Sequence, residues 1–296
     1  MPAQRSTRVR PAATTVLRPA SIARLQVRLL GWYARHGRDL PWRHTTDPYA
    51  ILVSEVMLQQ TQVSRVVARF RDFMARYPTL QDLAQADLGE VLAAWSGLGY
   101  NNRAARLLRC ARAAGRALPA SFDELVRLPG IGPYTARAIL IFAHNADLSA
   151  VDANVRRVLT HQLALPHDLP AADLQAVADR VLPKGRSRDW HNALMDYGAL
   201  VLTGRRTGIR PRTRQGRFAG SRRFYRAAIV RLLLAEETVP VDRLAAQLSA
   251  DHSTVQEALA ALVRDGLVEE GPAGAAIARA DVDRPGTQAG ASNAAR

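Results

Sequence analysis

Residues 20–203 carry a helical spacing of apolar residues with few interruptions. Apolar side chains recur every three or four positions in ten segments, which are 22–34, 48–76, 80–86, 88–96, 102–117, 121–128, 133–143, 153–163, 171–182 and 188–202. The breaks are short and contain glycine or proline, and no segment alternates as a strand does. The pattern predicts an all-α domain over residues 21–202, built from helices joined by tight turns.

Positive charge is concentrated in two stretches of the chain. The formal net charge is +15, from 41 basic and 26 acidic side chains. Residues 1–20 hold four arginines and residues 203–226 hold nine, with no acid in either stretch, so these account for 13 positive charges. We predict a disordered basic arm at 1–20 and an Arg-rich linker at 203–222. Both can be solvated surface, but the linker, placed between two structured regions, also suits a DNA backbone.

Several classes of protein do not fit the composition. A membrane span needs about eighteen consecutive apolar residues, and no such run is present. The single cysteine, Cys110, cannot form an internal disulfide, a cysteine zinc site or a cysteine-held iron–sulfur cluster. Residues 1–20 lack the apolar segment of a secretory signal. We therefore expect a soluble, cytoplasmic protein with a polyanionic partner.

Residues 223–277 differ from the preceding helices. A helix at 223–236 is followed by 241–248, a turn at 249–251, a helix at 253–265 and a strand-like fragment at 266–269. This order is typical of a winged helix-turn-helix module. The second helix of the turn carries one arginine, which favours packing or protein contact but leaves DNA binding open. Beyond Gly271 the pattern is lost, and residues 278–296 are predicted to be a disordered tail.

The segment Leu128-Pro-Gly-Ile-Gly-Pro-Tyr-Thr-Ala-Arg-Ala-Ile139 contains two closely spaced glycines before a new helix. Gly130 and Gly132 permit a tight hairpin whose amides approach a phosphate, and the helix N-terminus adds positive potential. An ordinary connection between helices is the alternative. We favour a helix–hairpin–helix that binds a DNA backbone.

Two carboxylates are candidates for acid–base chemistry. Asp152, in Val151-Asp-Ala-Asn-Val-Arg-Arg-Val-Leu159, precedes a helix and is either a plain N-cap or a rigidly aimed carboxylate. Glu55, in Ser54-Glu-Val-Met-Leu-Gln-Gln-Thr-Gln-Val63, lies at the border of an apolar helical stripe. It is either a surface residue or a partly buried general acid with a raised pKa. Gln59, Gln60 and Gln62 beside it could read base edges or fill a gap in a base stack.

One protonated and one ionised carboxyl suit the cleavage of a glycosidic bond through an oxocarbenium-like state. Beside a DNA clamp, the substrate would be a base flipped out of a duplex.

These motifs make residues 22–200 resemble the helix–hairpin–helix base-excision DNA glycosylases, and within them the A/G-mismatch adenine glycosylases. The matching stretches are Trp32-Tyr33, Gly37–Arg43, Pro48-Tyr49, Ser54–Val63, Trp95–Tyr100, Leu128–Ala136, Val151–Leu159 and Asn192–Ala199. The glutamine-rich part of Ser54–Val63 is specific to the adenine-excising branch.

The resemblance implies a role for each matching residue. Glu55 would protonate the purine at N7, Asp152 would stabilise the sugar cation, and Asn154 would tie the acids together. The adenine pocket would be lined by Arg38, Leu40, Trp42, Arg43 and Asp196. Gln60, next to Gln59, and Tyr100 would fill the stack opposite the flipped base. The DNA backbone would be bound by Gly130, Ile131, Gly132 and Thr135, with Arg210, Arg212 and Arg214 of the Arg-rich linker.

Related enzymes that also nick the strand carry a Schiff-base lysine after the hairpin. That position here is Tyr134, and the one lysine of the chain, Lys184, is far from the motif in sequence. The resemblance therefore implies a monofunctional glycosylase that leaves an abasic site.

The chain departs from the family pattern in two places. Most members hold a [4Fe–4S] cluster with four cysteines, whose positions correspond here to Leu202, Ile209, Arg212 and Phe218. We predict that the cluster is absent, that no other cofactor is needed and that arginines of the linker supply the backbone affinity. The winged-helix-like module stands where members of the family carry a domain that recognises 8-oxoguanine, so the preferred base opposite adenine stays open. Whether the hairpin binds a monovalent cation also stays open.

The sequence leaves two rival functions. A mismatch thymine or uracil glycosylase shares Tyr134 and the Val-Asp-Ala-Asn segment, but Glu55 favours a purine leaving group. A non-catalytic DNA-binding or regulatory protein is the rival of another class, although both acids are present. We expect a monomer that acts on mismatched double-stranded DNA, on A·G or A·8-oxoguanine pairs, in the cytoplasm at the nucleoid.

Overall fold

A computed structural model describes residues 17–209 and 216–279. The helices of the first half are α1 (Pro19–His36), α2 (Pro48–Leu58), α3 (Val63–Arg76), α4 (Leu80–Gln85), α5 (Leu88–Ala94), α6 (Asn102–Ala114), α7 (Phe122–Leu125) and α8 (Pro133–His144). They are followed by α9 (Ala153–Gln162), α10 (Ala171–Arg180), α11 (Ser187–Leu200), α12 (Gly204–Thr207), α13 (Arg222–Leu233), α14 (Val241–Leu248), α15 (His252–Arg264), β1 (Val268–Gly271) and β2 (Gly274–Ile277). The predicted mostly helical fold is confirmed.

The chain divides into two compact units. The first unit comprises the chain up to Ala84 together with Arg109–Gly216. The second unit comprises Gln85–Leu108 together with the chain from Arg217 onward. The prediction of one helical domain over 21–202 did not anticipate that residues 85–108 group with the C-terminal segment. Local periodicity identifies helices but does not show which of them pack together.

The core of the first unit forms where α11 packs against α1 and α9. Leu29, Val158 and Trp190 are buried there. A second contact, between α2 and α8, joins the two helices that carry Glu55 and the end of the hairpin. Burial of these apolar faces at roughly 25 cal/mol per Å² is the main stabilising contribution.

The predicted helical segment 48–76 is interrupted. The structure ends α2 at Leu58 and begins α3 at Val63, with Gln60 in the left-handed region at φ 57°. Residues 59–62 are polar, but Leu58 and Val66 share a helical face and glutamine is a good helix former, so the pattern predicts one continuous helix. Gln59 and Gln60 therefore lie in an exposed turn rather than on a helix face.

In the second unit, α13 and α14 pack against α15, and an antiparallel hairpin of β1 and β2 follows. We call residues 222–277 the C-terminal module. Val268 pairs with Ile277, and Val239 forms an additional bridge with Ala275. Strand β2 was not predicted, because its sequence Gly-Ala-Ala-Ile lacks a strand-like alternation. The three helices and strand β1 follow the predicted order, while the assignment as a winged helix stays a prediction.

The two ends of the chain are described only in part. Of the predicted basic arm 1–20, the structure describes Leu17 onward, and Leu17 is buried in the core with α1 beginning at Pro19. The helical domain therefore starts earlier than predicted. Of the tail 278–296, all but the first two residues lie outside the described residues. In the described ranges, no helix is both long and apolar enough to cross a membrane.

Candidate active site

Glu55 lies on a helix that is buried on all sides. Asp47 caps α2, and its carboxylate accepts hydrogen bonds from the N–H groups of Tyr49 and Ala50 at 3.0 and 3.3 Å. Every residue from Tyr49 to Met57 is buried, and Glu55 itself is only 8% exposed. The expected position at the border of an apolar stripe is therefore wrong, because α3 and α8 both pack against this helix.

The carboxyl of Glu55 has Tyr134 and Asp152 as neighbours. The pKa of Glu55 is raised to about 7, mainly by burial and to a lesser extent by the negative charge of Asp152. A hydrogen bond from the Tyr134 hydroxyl opposes this shift. Burial and the nearby carboxylates also raise the pKa of Tyr134, so its hydroxyl stays protonated and donates a hydrogen bond to the Glu55 carboxyl. A carboxyl with a pKa near neutrality can hold a proton and release it in one reaction cycle.

Asp152 is the N-cap of α9, as one of the two sequence interpretations proposed. Its Oδ1 accepts a hydrogen bond from the N–H of Val155 at 2.6 Å, and its Oδ2 accepts one from Nδ2 of Asn154 at 3.1 Å. Burial raises the pKa of Asp152, whereas both donors and the positive charge of Arg157 favour the ionised form. The same carboxylate therefore caps the helix and is held in one orientation beside Glu55.

Arg157 was not singled out from the sequence, although it lies in the motif at 151–159. Its guanidinium donates to Oδ1 of Asn154 and to the carbonyl oxygens of Gly198 and Leu202. These bonds join α9 to the end of α11. A Cβ on Gly198 would lie 2.8 Å from Cβ of Asn154, so the close approach of the two helices requires glycine there.

Three of the predicted pocket residues form a buried ion cluster. Asp196 is fully buried and accepts hydrogen bonds from the backbone N–H and Nε of Arg38 at 2.8 and 2.7 Å, and from both Nη atoms of Arg43 at 2.8 Å. Burial alone would raise the pKa of Asp196, but the hydrogen bonds and charges of Arg43 and Arg38 hold it below its ordinary value. The cluster fixes the chain between α1 and α2 to α11.

The other two predicted pocket residues belong to the core. Leu40 and Trp42 are 6% and 8% exposed, and the Trp42 ring meets Phe70 edge-on at 5.6 Å. The 3₁₀ turn Pro41–Arg43 packs against α2 and α3. Tyr33, which the pattern of α1 did not mark as functional, lies with its ring 5.7 Å from the Arg43 guanidinium. That Leu40 and Trp42 line the adenine pocket stays a prediction.

The hairpin before α8 has the predicted form. Gly130 adopts φ 81°, and Gly132 is the extended N-cap residue of α8. Both glycines are exposed, while the side chains of Ile131 and Thr135 are 5% and 4% exposed and turn inward. Gly132, the N-cap residue of α8, has no side chain to accept a hydrogen bond from the first N–H groups of the helix. Ile131 and Thr135 thus anchor the hairpin, and backbone amides are the groups offered to an anion.

The two residues predicted to enter the base stack share an unusual backbone. Gln60 in the first unit has φ 57°, and Tyr100 in the second unit has φ 49°. A non-glycine residue in this region is uncommon and costs roughly 1 kcal/mol, so each turn is held by its surroundings. Gln59 and Gln60 are exposed, and Tyr100 is half-buried.

The residues at the family's cluster positions do not fit an iron–sulfur cluster. Leu202 and Ile209 are hydrocarbon side chains, 9% and 3% exposed, and Phe218 is 53% exposed. The chain's one cysteine, Cys110, is buried in α6, where burial raises its pKa to about 12. Arg212 lies outside the described residues, as do Arg210 and Arg214. The predicted contribution of these three arginines to DNA affinity therefore stays a prediction.

The chain is similar to known DNA repair proteins in sequence and in structure. Residues 53–183 match the model of the HhH-GPD superfamily of base excision DNA repair proteins. The adenine DNA glycosylase of Mycolicibacterium smegmatis is 41% identical over 273 residues, which is 82% of this chain and 92% of that protein. The adenine DNA glycosylase of Mycobacterium tuberculosis is 42% identical over 194 residues, 62% of this chain and 64% of that protein. The structure of a thermostable thymine-DNA glycosylase superposes with a TM-score of 0.59 and 28% identity, covering 64% of this chain and 90% of that one.

The hairpin, the neighbouring carboxyls of Glu55 and Asp152 and the superfamily match define the class of protein, a base excision DNA glycosylase with the helix–hairpin–helix fold. Because identity of 41% extends over nearly the whole length of a relative, the chain belongs to the adenine DNA glycosylase family of the HhH-GPD superfamily. The family predicted from the sequence motifs is confirmed.

Proposed function

We propose that the protein is a monofunctional adenine DNA glycosylase that acts on adenine mispaired with guanine or 8-oxoguanine in double-stranded DNA. The observation that carries the proposal is the group that the buried carboxyl of Glu55 forms with Tyr134 and Asp152, in which Glu55 has a pKa of about 7. In this reaction the Glu55 carboxyl gives its proton to N7 of adenine, and the bond between C1′ and N9 breaks. Asp152 stabilises the positive charge that develops on the sugar.

Water then completes the hydrolysis. A water oxygen bonds to C1′, and the released proton returns to the carboxylate of Glu55, which leaves neutral adenine and an abasic sugar. Tyr134 cannot form the Schiff base that a lysine would form, so no strand cleavage accompanies excision. We propose further that the enzyme acts as a monomer in the cytoplasm at the nucleoid, without an iron–sulfur cluster. A monovalent cation held by the hairpin carbonyls remains part of this proposal.

The similarity to a thymine-DNA glycosylase structure supports a second candidate, removal of thymine or uracil from mismatches. A pyrimidine has no N7, so the near-neutral acid at Glu55 supports adenine as the leaving base. The assembled acids argue against a non-catalytic role. Burying the carboxyl of Glu55 lowers the stability of the fold, and a protein that only binds DNA would gain nothing in return.

The test uses duplexes with a single A·G, A·8-oxoguanine, T·G or U·G pair. We expect strand breaks only after alkali, on the two adenine duplexes, and no covalent complex with borohydride. Glu55→Gln and Asp152→Asn should each lower the excision rate at least about a hundredfold. Asparagine is also a good N-cap, so Asp152→Asn removes the charge while α9 keeps its cap.

Asp72→Asn on the exposed face of α3 is the matched control and should excise at the wild-type rate. Excision that survives Asp152→Asn would contradict the mechanism. Breaks on the T·G or U·G duplexes alone would establish the pyrimidine alternative, and no excision from any duplex would favour the regulatory one.

A further inference from the structure

Tyr100 ends a turn whose shape is fixed by its own residues. The turn runs from Trp95 to Tyr100 between α5 and α6, and the indole Nε1 of Trp95 donates to the carbonyl oxygen of Gly99 at 3.2 Å. Gly97 and Gly99 adopt φ 88° and 70°, and Tyr100 follows at φ 49°. Three left-handed residues in one turn give the backbone at Tyr100 a conformation that an ordinary connection between helices does not have, and this conformation sets the direction of the Tyr100 side chain.

Arg103 supports this turn from the start of α6. Its guanidinium donates to the carbonyl oxygens of Leu98 and Gly99 at 3.1 and 3.0 Å. The same guanidinium lies 5.4 Å from the Trp95 ring and 5.5 Å from the Tyr100 ring. Burial lowers the pKa of Arg103 to about 10, so it remains charged at neutral pH. All of these contacts lie within residues 95–103.

A further contact to Tyr100 comes from a distant part of the chain. Arg223, in the first turn of α13, donates from Nη1 to the Tyr100 hydroxyl at 2.6 Å, and its guanidinium lies 5.6 Å from the Tyr100 ring. The Phe218 ring lies 5.9 Å from the same guanidinium and meets Phe224 edge-on. Arg223 and Tyr100 belong to the same compact unit. Helix α5 and strand β2 are neighbours in this unit, because a Cβ on Gly89 would lie 3.9 Å from Cγ2 of Ile277.

The rest of the C-terminal module is poorly suited to a phosphate backbone. Residues 241–277 contain six acidic and two arginine side chains, and Glu269 and Glu270 of β1 are exposed. The arginines that flank Arg223 on α13 pair within the module, Arg222 with Glu257 at 3.2 Å and Arg226 with Asp265. The net negative charge of this segment would repel a phosphate backbone, which argues against α15 as a recognition helix.

We propose that Arg223 is a positioning residue for Tyr100, through which the C-terminal module controls how the protein opens the base stack. The inference rests on the proposed function, in which Tyr100 enters the stack opposite the flipped base. Arg223 holds the phenol ring in one orientation and keeps a positive charge beside it. The module thereby contributes to base flipping without a DNA-reading helix of its own.

The test compares Arg223→Ala and Arg223→Lys with Arg231→Ala, the matched control, since Arg231 is an exposed residue near the other end of α13 and lies outside the Arg-rich linker. Two quantities are measured on an A·G duplex with 2-aminopurine next to the guanine: the fluorescence rise on binding, which reports unstacking, and the single-turnover rate of excision. For Arg223→Ala we expect about a tenfold lower rate and a smaller rise. Affinity for a fully paired duplex should change less than about twofold. Arg223→Lys, which keeps the charge, should recover part of both signals.

A double-mutant cycle separates positioning from general stability. In a Tyr100→Phe background, which lacks the hydroxyl acceptor, Arg223→Ala should lower the rate by much less than tenfold. Additive effects, or an Arg223→Ala protein that matches Arg231→Ala in both measurements, would overturn the inference. Unstacking does not require excision, so a wild-type protein that unstacks the duplex through Arg223 but releases no adenine would refute the proposed function and retain the inference.

Discussion

The ordinary pKa of a glutamate is 4.5, and burial raises that of Glu55 to about 7. The unfolded chain releases this proton near pH 4.5, whereas the folded protein holds it until about pH 7. Between these values the folded state binds more protons than the unfolded state, so stability falls as the pH rises. A difference of this size corresponds to about 3 kcal/mol above pH 7.

Glu55→Gln is therefore expected to stabilise the protein above neutrality. Glutamine has the same shape and no charge, and it can still accept a hydrogen bond from Tyr134. We expect the variant to unfold with a free energy about 2 kcal/mol higher than wild type at pH 8, with little difference at pH 4.5. Urea denaturation at both pH values measures this.

The control for this prediction is Glu269→Gln, on the exposed face of β1, whose stability should track wild type at both pH values. A Glu55→Gln protein that is no more stable than wild type at pH 8 would mean that burial is not what raises the pKa.

The residues that could be predicted from sequence at this scale are those with a local signal. Asp152 precedes a helix, and the hairpin glycines stand together, so their conformations follow from neighbours in the chain. The burial of Glu55 and the role of Arg157 depend on α8 and α11, which are distant in sequence. The resemblance identified Glu55 as functional, but its environment required the packed structure.

His191 connects two elements at the level of packing. It is buried on α11, where its Nδ1–H donates to the carbonyl oxygen of Ser187 at 2.7 Å and its Nε2 accepts from the N–H of Ala150 at 3.0 Å. Burial lowers the pKa of His191, which keeps the ring neutral and Nε2 able to accept. Ala150 lies two residues before Asp152, so α11 sets the path by which the chain enters α9.

We predict that His191→Phe destabilises the protein by about 1–3 kcal/mol, because phenylalanine fills the space but leaves the buried N–H of Ala150 without an acceptor. The excision rate should also fall, since Asp152 loses its fixed approach. His191→Gln provides an acceptor and should restore part of both. Thermal unfolding and single-turnover excision measure the two effects, and equal behaviour of the variants would contradict this role.

Element boundaries were predictable where capping residues or glycines mark them. Asp47-Pro48 marks the start of α2, and the predicted range 241–248 matches α14. The break between α2 and α3 was missed because Leu58 and Val66 are eight positions apart, which is a helical spacing, although the four residues before Val63 are all polar. A left-handed glutamine leaves no mark in composition, so this turn, which presents Gln59 and Gln60, could only be found in the structure.

The net charge of the whole molecule is distributed unevenly. The stretches 1–20 and 203–226 account for 13 positive charges of the net +15, whereas 241–277 is acidic. DNA affinity that comes from neutralised phosphates should therefore depend on a few arginines and on salt. Arg210, Arg212 and Arg214 lie outside the described residues, so the expectation for them rests on charge alone.

Replacing these three arginines with alanine should weaken duplex binding and make it less sensitive to salt. Each phosphate contact contributes about 0.9 to the slope of log K against log salt, so the slope should fall in magnitude by up to about three. Fluorescence anisotropy from low to high potassium chloride measures it. A protein with alanine at three exposed arginines of the first unit, Arg24, Arg35 and Arg69, is the control and should keep the wild-type slope. An unchanged slope in the linker variant would mean that other residues bind the phosphates, because the slope counts the phosphate charges that the protein neutralises.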